Sequence, residues 1–197
     1  MAGVNEAQVY LPSPDQSAVT GAVYVAETTV AAPSDASTTL PASNWESGGY
    51  IDPNGIALAV SKSYTTIKDW GQNNVRKALS EYDGTIALTF LQVDEFAMKQ
   101  VFGEGNVTVN EATTTKGNRL KVAIGPDTPA IKSWCFNMKD EDRRVRVYVP
   151  KGQITEVTGD VTFTPGAANS YPCRLSTYDD GTGHSIYVMY DDGQVTG

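Results

Sequence analysis

Along most of the chain, apolar side chains recur at every second position. Gly21-Ala-Val-Tyr-Val-Ala-Glu27 is a short run of this kind. Gly55-Ile-Ala-Leu-Ala-Val-Ser61 sets Ile56, Leu58 and Val60 against small residues, and the run continues through Tyr64 and Ile67 to Trp70. Residues 85–93 put Ile86, Leu88 and Phe90 together, and residues 131–138 do the same for Trp134, Phe136 and Met138. In residues 143–149, Val145, Val147 and Val149 oppose Arg144, Arg146 and Tyr148. Shorter runs at 161–163, 171–175 and 185–190 complete the set. A period of two places alternate side chains on one face, so these segments predict half-buried strands. About eight or nine strands with turn residues between them predict a mainly β fold, an antiparallel sandwich or split barrel. Asn54-Gly55, Asp83-Gly84, Asp179-Asp180-Gly181 and Asp191-Asp192-Gly193 read as the turns.

One segment changes period. From Asp94 to Phe102, the residues Phe96, Ala97, Lys99, Gln100 and Val101 fall at helical spacings. Asp94 stands at the N-cap position and Gly103 where a helix would stop, which predicts one helix of about two to three turns across an open face of the sheet. Residues 28–47 (TTVAAPSDASTTLPASNWES) have almost no apolar anchor before Trp45 and predict a long loop or extended arm. The first twenty residues resemble them. The expected organisation is therefore an N-terminal arm, 1–20, and a single β domain, 21–197, containing a long loop at 28–50. Residues 103–117 read as a second polar connection, interrupted by Val107 and Val109.

Composition narrows the function classes. With 197 residues and 40% hydrophobic content, the chain suits one buried core. Its net charge of −8 argues against a surface built to grip nucleic acid, which needs clustered Lys and Arg. The one basic concentration, Arg143-Arg144-x-Arg146, directly follows Asp140, Glu141 and Asp142 and reads as a solvated or subunit-facing strand surface. The N-terminus shows no basic region followed by an apolar run, and no window approaches a membrane span, so neither a secretory signal nor a membrane partner is expected. Cys135 and Cys173 read as two reduced, partly buried thiols.

Catalytic chemistry has little to work with. His184 is the single histidine and reads as a loop-edge residue, since a general base needs a partner and a nucleophile. Two cysteines and one histidine do not make a tetrahedral zinc site. The Gly-x-Gly pieces at 103–105 and 181–183 lack the strand–loop–helix context of a phosphate cradle. No enzyme activity, cofactor or metal is expected.

Order and spacing across Trp45–Gly105 suggest a family. Asn44-Trp-Glu-Ser-Gly-Gly-Tyr-Ile-Asp-Pro-Asn-Gly-Ile56 is followed by Thr65-Thr-Ile-Lys-Asp-Trp-Gly71, a polar strand, Thr85–Asp94, and a short helix ending in Phe102-Gly103. Together with Leu40-Pro41 and Gly159-Asp-Val-Thr-Phe-Thr-Pro165, this resembles the major tail (tail tube) subunits of long, non-contractile-tailed bacteriophages, especially those of actinobacteria. The resemblance implies a tail-tube β-sandwich or split barrel. It also implies a structural virion protein whose hexameric rings stack into a tube that delivers DNA, with an acidic lumen that lets DNA pass without specific binding. The chain itself, a tape measure protein and a tail terminator would be the partners. The protein would reside in the virion tail, and in the host cytoplasm during assembly. Residues 28–50 would lie at ring–ring contacts, with Trp45 and Tyr50 as anchors and Leu40 and Trp70 as further interface positions. On that expectation, Trp45→Ala impairs polymerisation and leaves the subunit fold intact. The competing readings are a secreted or cell-surface carbohydrate-binding β-sandwich, for which ten Tyr and three Trp supply aromatics, and another virion part such as a tail terminator or decoration protein.

Overall fold

A computed structural model describes residues 9–15 and 22–195. Its strands are β1 (Ser13–Pro14), β2 (Val23–Ala26), β3 (Glu46–Ser47), β4 (Ala57–Lys68), β5 (Asn74–Phe90), β6 (Val107–Asn110), β7 (Arg119–Val122), β8 (Lys132–Asp140), β9 (Arg143–Val157), β10 (Tyr171–Thr177) and β11 (Tyr187–Asp191). Among the described residues there is one α-helix, α1 (Glu95–Phe102). Nine strands form one antiparallel sheet in the order β3-β2-β8-β9-β10-β5-β4, with β1 also on β8 and β11 also on β9. The fold is thus mainly β with one short helix, as the alternation predicts.

The sheet is strongly curled, and its connections require this. Gly48 donates its N–H to Val23 O on β2 at 2.7 Å, and three residues later Ile51 bridges Phe90 on β5. Three extended residues reach about 10 Å. In a flat sheet, β2 and β5 would stand four strand spacings apart, about 19 Å. The segment after β3 therefore stitches two distant strands together, and the sheet closes on itself as a split barrel.

Its inner face holds the core: Val23, Val25, Ile86, Leu88, Phe90, Trp134, Phe136, Val147, Val149, Ile154, Cys173 and Leu175, capped by Phe96, Ala97, Met98 and Val101 of α1. These are the alternate positions of the sequence pattern. The helix begins where Asp94 accepts a hydrogen bond from Ala97 N at 2.8 Å, which satisfies one of the orphan donors of the first turn. It ends at Gly103, whose φ of 92° a side chain would disfavour.

Three expectations need correction. Asp83-Gly84 is not a turn but lies within β5. A Cβ on Gly84 would stand 2.7 Å from Thr177 Oγ1 and 3.2 Å from Ile186 Cδ1, so glycine is there for close approach. Residues 161–163 form no strand, and Phe163 is exposed. Val107 and Val109 do not interrupt a connection; they belong to β6, which pairs with β7 as a separate two-stranded sheet.

Candidate assembly surface

The feature that the body of the protein does not account for is the β4–β5 hairpin. Strand β10 pairs with β5 only from Thr85 to Phe90, and among the described residues no strand lies on the outer edge of β4. Beyond that point, residues 60–68 and 74–84 pair as strands only with each other among the described residues, an arm of about 30 Å at the usual rise per residue, and Thr177 Oγ1 donates to Gly84 O at 2.9 Å at its root. Its turn is built locally: Asp69 accepts from Asn73 N at 2.8 Å and from Asn73 Nδ2 at 3.2 Å. Those bonds, the backbone one first, hold the Asp69 carboxyl below its ordinary range.

The register separates the two faces. Strand β5 slips one residue at Ser80 and again at Val75, while β4 runs without interruption. Leu58, Val60, Lys62, Tyr64, Thr66 and Lys68 therefore share a face with Ile86, Tyr82, Leu79 and Lys77, and Ile86 is in the core. The apolar face of the sheet thus continues out along the arm, where Leu58, Val60, Tyr64, Leu79 and Tyr82 are all exposed. Lys62 lies over the Tyr82 ring at 6.0 Å, which confirms the shared face. The opposite face carries small and polar residues with Ile67, Arg76, Glu81 and Asp83. At the arm's root, Tyr82 Oη is 3.2 Å from Ser185 Oγ.

The same apolar face is also open beside the root. Ile56, Leu58, Met138, Val145, Val147 and Val188 line a groove of about 730 Å³ with Tyr10, Pro12 and Tyr190 at its rim. Tyr10 packs on Tyr190 with ring centroids 5.4 Å apart, and Arg143 stands over the Tyr10 ring. The described part of the expected N-terminal arm is thus laid on the body: Ser13 and Pro14 pair with Lys139 and Met138, and Arg144 bonds Asp15 at 2.8 Å. Residues 1–8 and 16–20 of that arm lie outside the described residues.

Of the two forms expected for residues 28–47, the structure has the loop and not the extended arm. Residues 28–45 fold down on the outer face of β8 and β9 instead of extending. Trp45 is 4% exposed and meets Tyr148 edge-on at 6.3 Å in a second cluster with Ala26 and Cys135. Leu40 is half-buried against that cluster. The loop is held by Arg146, which is 3% exposed; it donates to Asn137 Oδ1 (2.8 Å), Asp35 O (2.8 Å) and Thr38 O (2.9 Å). Arg146 is therefore not on a solvated or subunit-facing strand surface but is the clasp of a loop from its own chain. Asp35 in turn accepts from Thr38 Oγ1 and N, Ser34 Oγ and Ser37 N, and these bonds, those from Thr38 first, keep its carboxyl well below the ordinary range.

Of the four residues named from sequence, Tyr50 (68% exposed) and Trp70 (fully exposed at the arm tip) stand at the surface. Trp45 is core of the outer cluster, so the expectation that Trp45→Ala would spare the fold is corrected: its removal leaves a cavity under the loop. Tyr64, Leu79 and Tyr82 were not singled out. Tyr64 lies in the alternating run that ends at Trp70, whereas Leu79 and Tyr82 had no period-two signal, because β5 slips register at Val75 and Ser80.

His184 is exposed, with Nδ1 3.1 Å from Thr182 Oγ1. Cys135 and Cys173 are free and buried, and burial pushes both thiols up to about 12. Lys132 bonds Glu27 and Glu104. Among the described residues, no group of three or more His, Cys, Asp or Glu is placed to hold a metal ion.

Among the described residues the fold is a curled antiparallel sheet with a long two-stranded arm whose apolar face is uncovered. A family model described as phage tail tube protein matches residues 13–196. The chain belongs to that family and is a structural tail protein. No curated protein matches it.

Proposed function

We propose that the protein builds the wall of a phage tail tube: copies associate into rings, six to a ring, and the rings stack around a lumen through which DNA is delivered. One observation carries this reading. The arm is too long and too apolar to stand alone. An isolated two-stranded ribbon is marginal in water, and a row of exposed aliphatic and aromatic side chains beside open edges is an aggregation hazard unless a partner covers it. Further copies of the chain supply that cover and close the edges by symmetry. The net charge of −8 suits a conduit that DNA passes without being held. A tape measure protein within the tube and a tail terminator at its end complete the set of partners. Tyr50 and Trp70 are the exposed aromatics we assign to contacts between copies.

The test is electron microscopy of the intact protein beside a variant with residues 62–82 replaced by Asn-Gly, a two-residue turn that joins Ser61 to Asp83. Intact protein should form hollow tubes or rings on concentration. The shortened protein should keep its cooperative melting transition and stay monomeric. Tubes of normal yield from the shortened variant, or no assembly from the intact one, would overturn the reading.

A further inference from the structure

The arm is irregular where the body does not hold it. Where β10 lies against β5, the β4–β5 ladder is regular: Ala57, Leu58 and Ala59 stand opposite Ala87, Ile86 and Thr85. Both register slips fall beyond that stretch. Ser63 pairs with Glu81 but Tyr64 with Leu79, which leaves Ser80 without a partner across the ladder. Ile67 pairs with Arg76 but Lys68 with Asn74, which leaves out Val75 in the same way. Each is a β-bulge, and both are on β5. An extra residue on one strand bends the ribbon, increases its right-handed twist and interrupts the ladder. A two-stranded ribbon is marginal in water to begin with, so two bulges on its unsupported length weaken it further. The body uses the same device for its own packing. Register shifts between Lys132 and Trp134 on β8 and between Arg174 and Leu175 on β10, in a sheet that curls around a core. The arm has no such core to curl around, because Val60, Tyr64 and Leu79 on its apolar face are exposed.

We infer that the bulges at Ser80 and Val75 set the curvature of the arm and, through it, the number of copies that close a ring. The size of a closed sheet is tied to the tilt and stagger of its strands, so a change in the bend of each contributing ribbon changes where closure falls. Curvature is given to a sheet by bulges at defined positions, and a sheet without them stays open. Both extra residues lengthen β5 relative to β4, so the two bends act in one sense and do not cancel. Neither side chain offers another reason for the slips: Ser80 is small and exposed, and Val75 is 66% exposed. This inference rests on the self-assembly reading above and deepens it. That reading supplies copies that close on one another; the bulges determine how many.

Two separate deletions test it, one of Ser80 and one of Val75. Each restores a regular ladder at its own position and keeps every remaining pair: without Ser80, Ser63 still meets Glu81 and Tyr64 still meets Leu79. The apolar face and the open edges are therefore unchanged, and only the curvature is lost. Ser80→Ala keeps the bulge and is the control. Each full-length protein is concentrated, imaged by electron microscopy and weighed as intact rings by native mass spectrometry, with thermal melting to show that the body is folded. The intact protein and Ser80→Ala should give tubes of one diameter. The deletion variants should melt as the intact protein does and still associate. They should close with at least one copy more or fewer per ring, or remain as open sheets. If one deletion abolishes the melting transition, the other decides. Tubes of unchanged diameter from a folded deletion variant would overturn the inference and assign the bulges to guarding free edges. Loss of all association in a folded deletion variant would overturn it as well, since the bulges would then be contacts in themselves. So would a changed diameter in Ser80→Ala, since the side chain and not the bend would be acting. Each of these outcomes leaves the self-assembly reading standing, whereas absence of any ring or tube from the intact protein would overturn that reading itself.

Discussion

Trp45 and Arg146 show how single residues decide what the long loop is. Both occur where the sequence reads as surface: Trp45 ends a run of Ala, Ser, Thr and Pro, and Arg146 alternates with valines on an apparently solvated strand face. Alternation identifies two faces, but it does not say whether a loop covers the second one. That is why Val145, Val147 and Val149 were legible as core while the fate of the opposite face was not. Trp45→Ala should cost about 3–5 kcal/mol of stability, the range for deleting a large buried aromatic, and should lower the melting temperature. Arg146→Met should keep the volume but lose the three bonds to the loop. Limited proteolysis should then cut within residues 31–44 well before the rest of the chain. The thiols report on the same packing: with both cysteines buried, a disulfide-exchange reagent at pH 8 should react with neither until the protein is unfolded.

At the scale of elements, the helix was the most legible part. Asp94, the 3.6 spacing and Gly103 are local signals, and the structure uses each of them. The strands were legible in identity and less so in extent. Sequence placed a turn at Asp83-Gly84 because that pair favours one in isolation, whereas the crossing of Thr177 and Ile186 over Gly84 is a tertiary constraint with no local trace. Gly84→Ala should therefore destabilise by about 1–3 kcal/mol, as overpacking does, although alanine is otherwise compatible with an extended backbone. Thermal denaturation beside a Gly105→Ala control, where a Cβ meets nothing, gives the comparison. The arm was half-visible: alternation was read along β4 to Trp70 but on β5 only from Thr85, and that residues 74–84 pair with β4 beyond the sheet follows only from register.

For the whole molecule, fold class and family could be read from the order of strands, helix and turns, and the groove could not, because it joins Tyr10, Ile56, Met138, Val145 and Val188 from five separate stretches of chain. Electrostatics at this scale gives a pH prediction. The hydrogen bond from Lys132, and then its charge, hold Glu104 below the ordinary carboxylate value. A depressed carboxylate contributes stability above its unfolded value and loses it as pH falls through the folded one. Stability should decline below about pH 4.5, and Glu104→Gln should flatten that part of the curve. Burial opposes the Lys132 charge, but its bonds to Glu27 and Glu104 outweigh this and raise it, so the same cluster should weaken only in strong alkali.

The open edges and uncovered face of the arm also bear on timing. On the proposed assembly, a free subunit holds its arm without help, and ordering it is unfavourable until a neighbour lies against it. The first contacts therefore meet the full ordering cost, while every later copy arrives at an arm already fixed in place. Growth of this kind is nucleated. Light scattering of the concentrated protein should show a lag, and short preformed fragments should abolish it. Where a tube begins would then be set by whatever presents the first ordered arm, and not by how much subunit has accumulated.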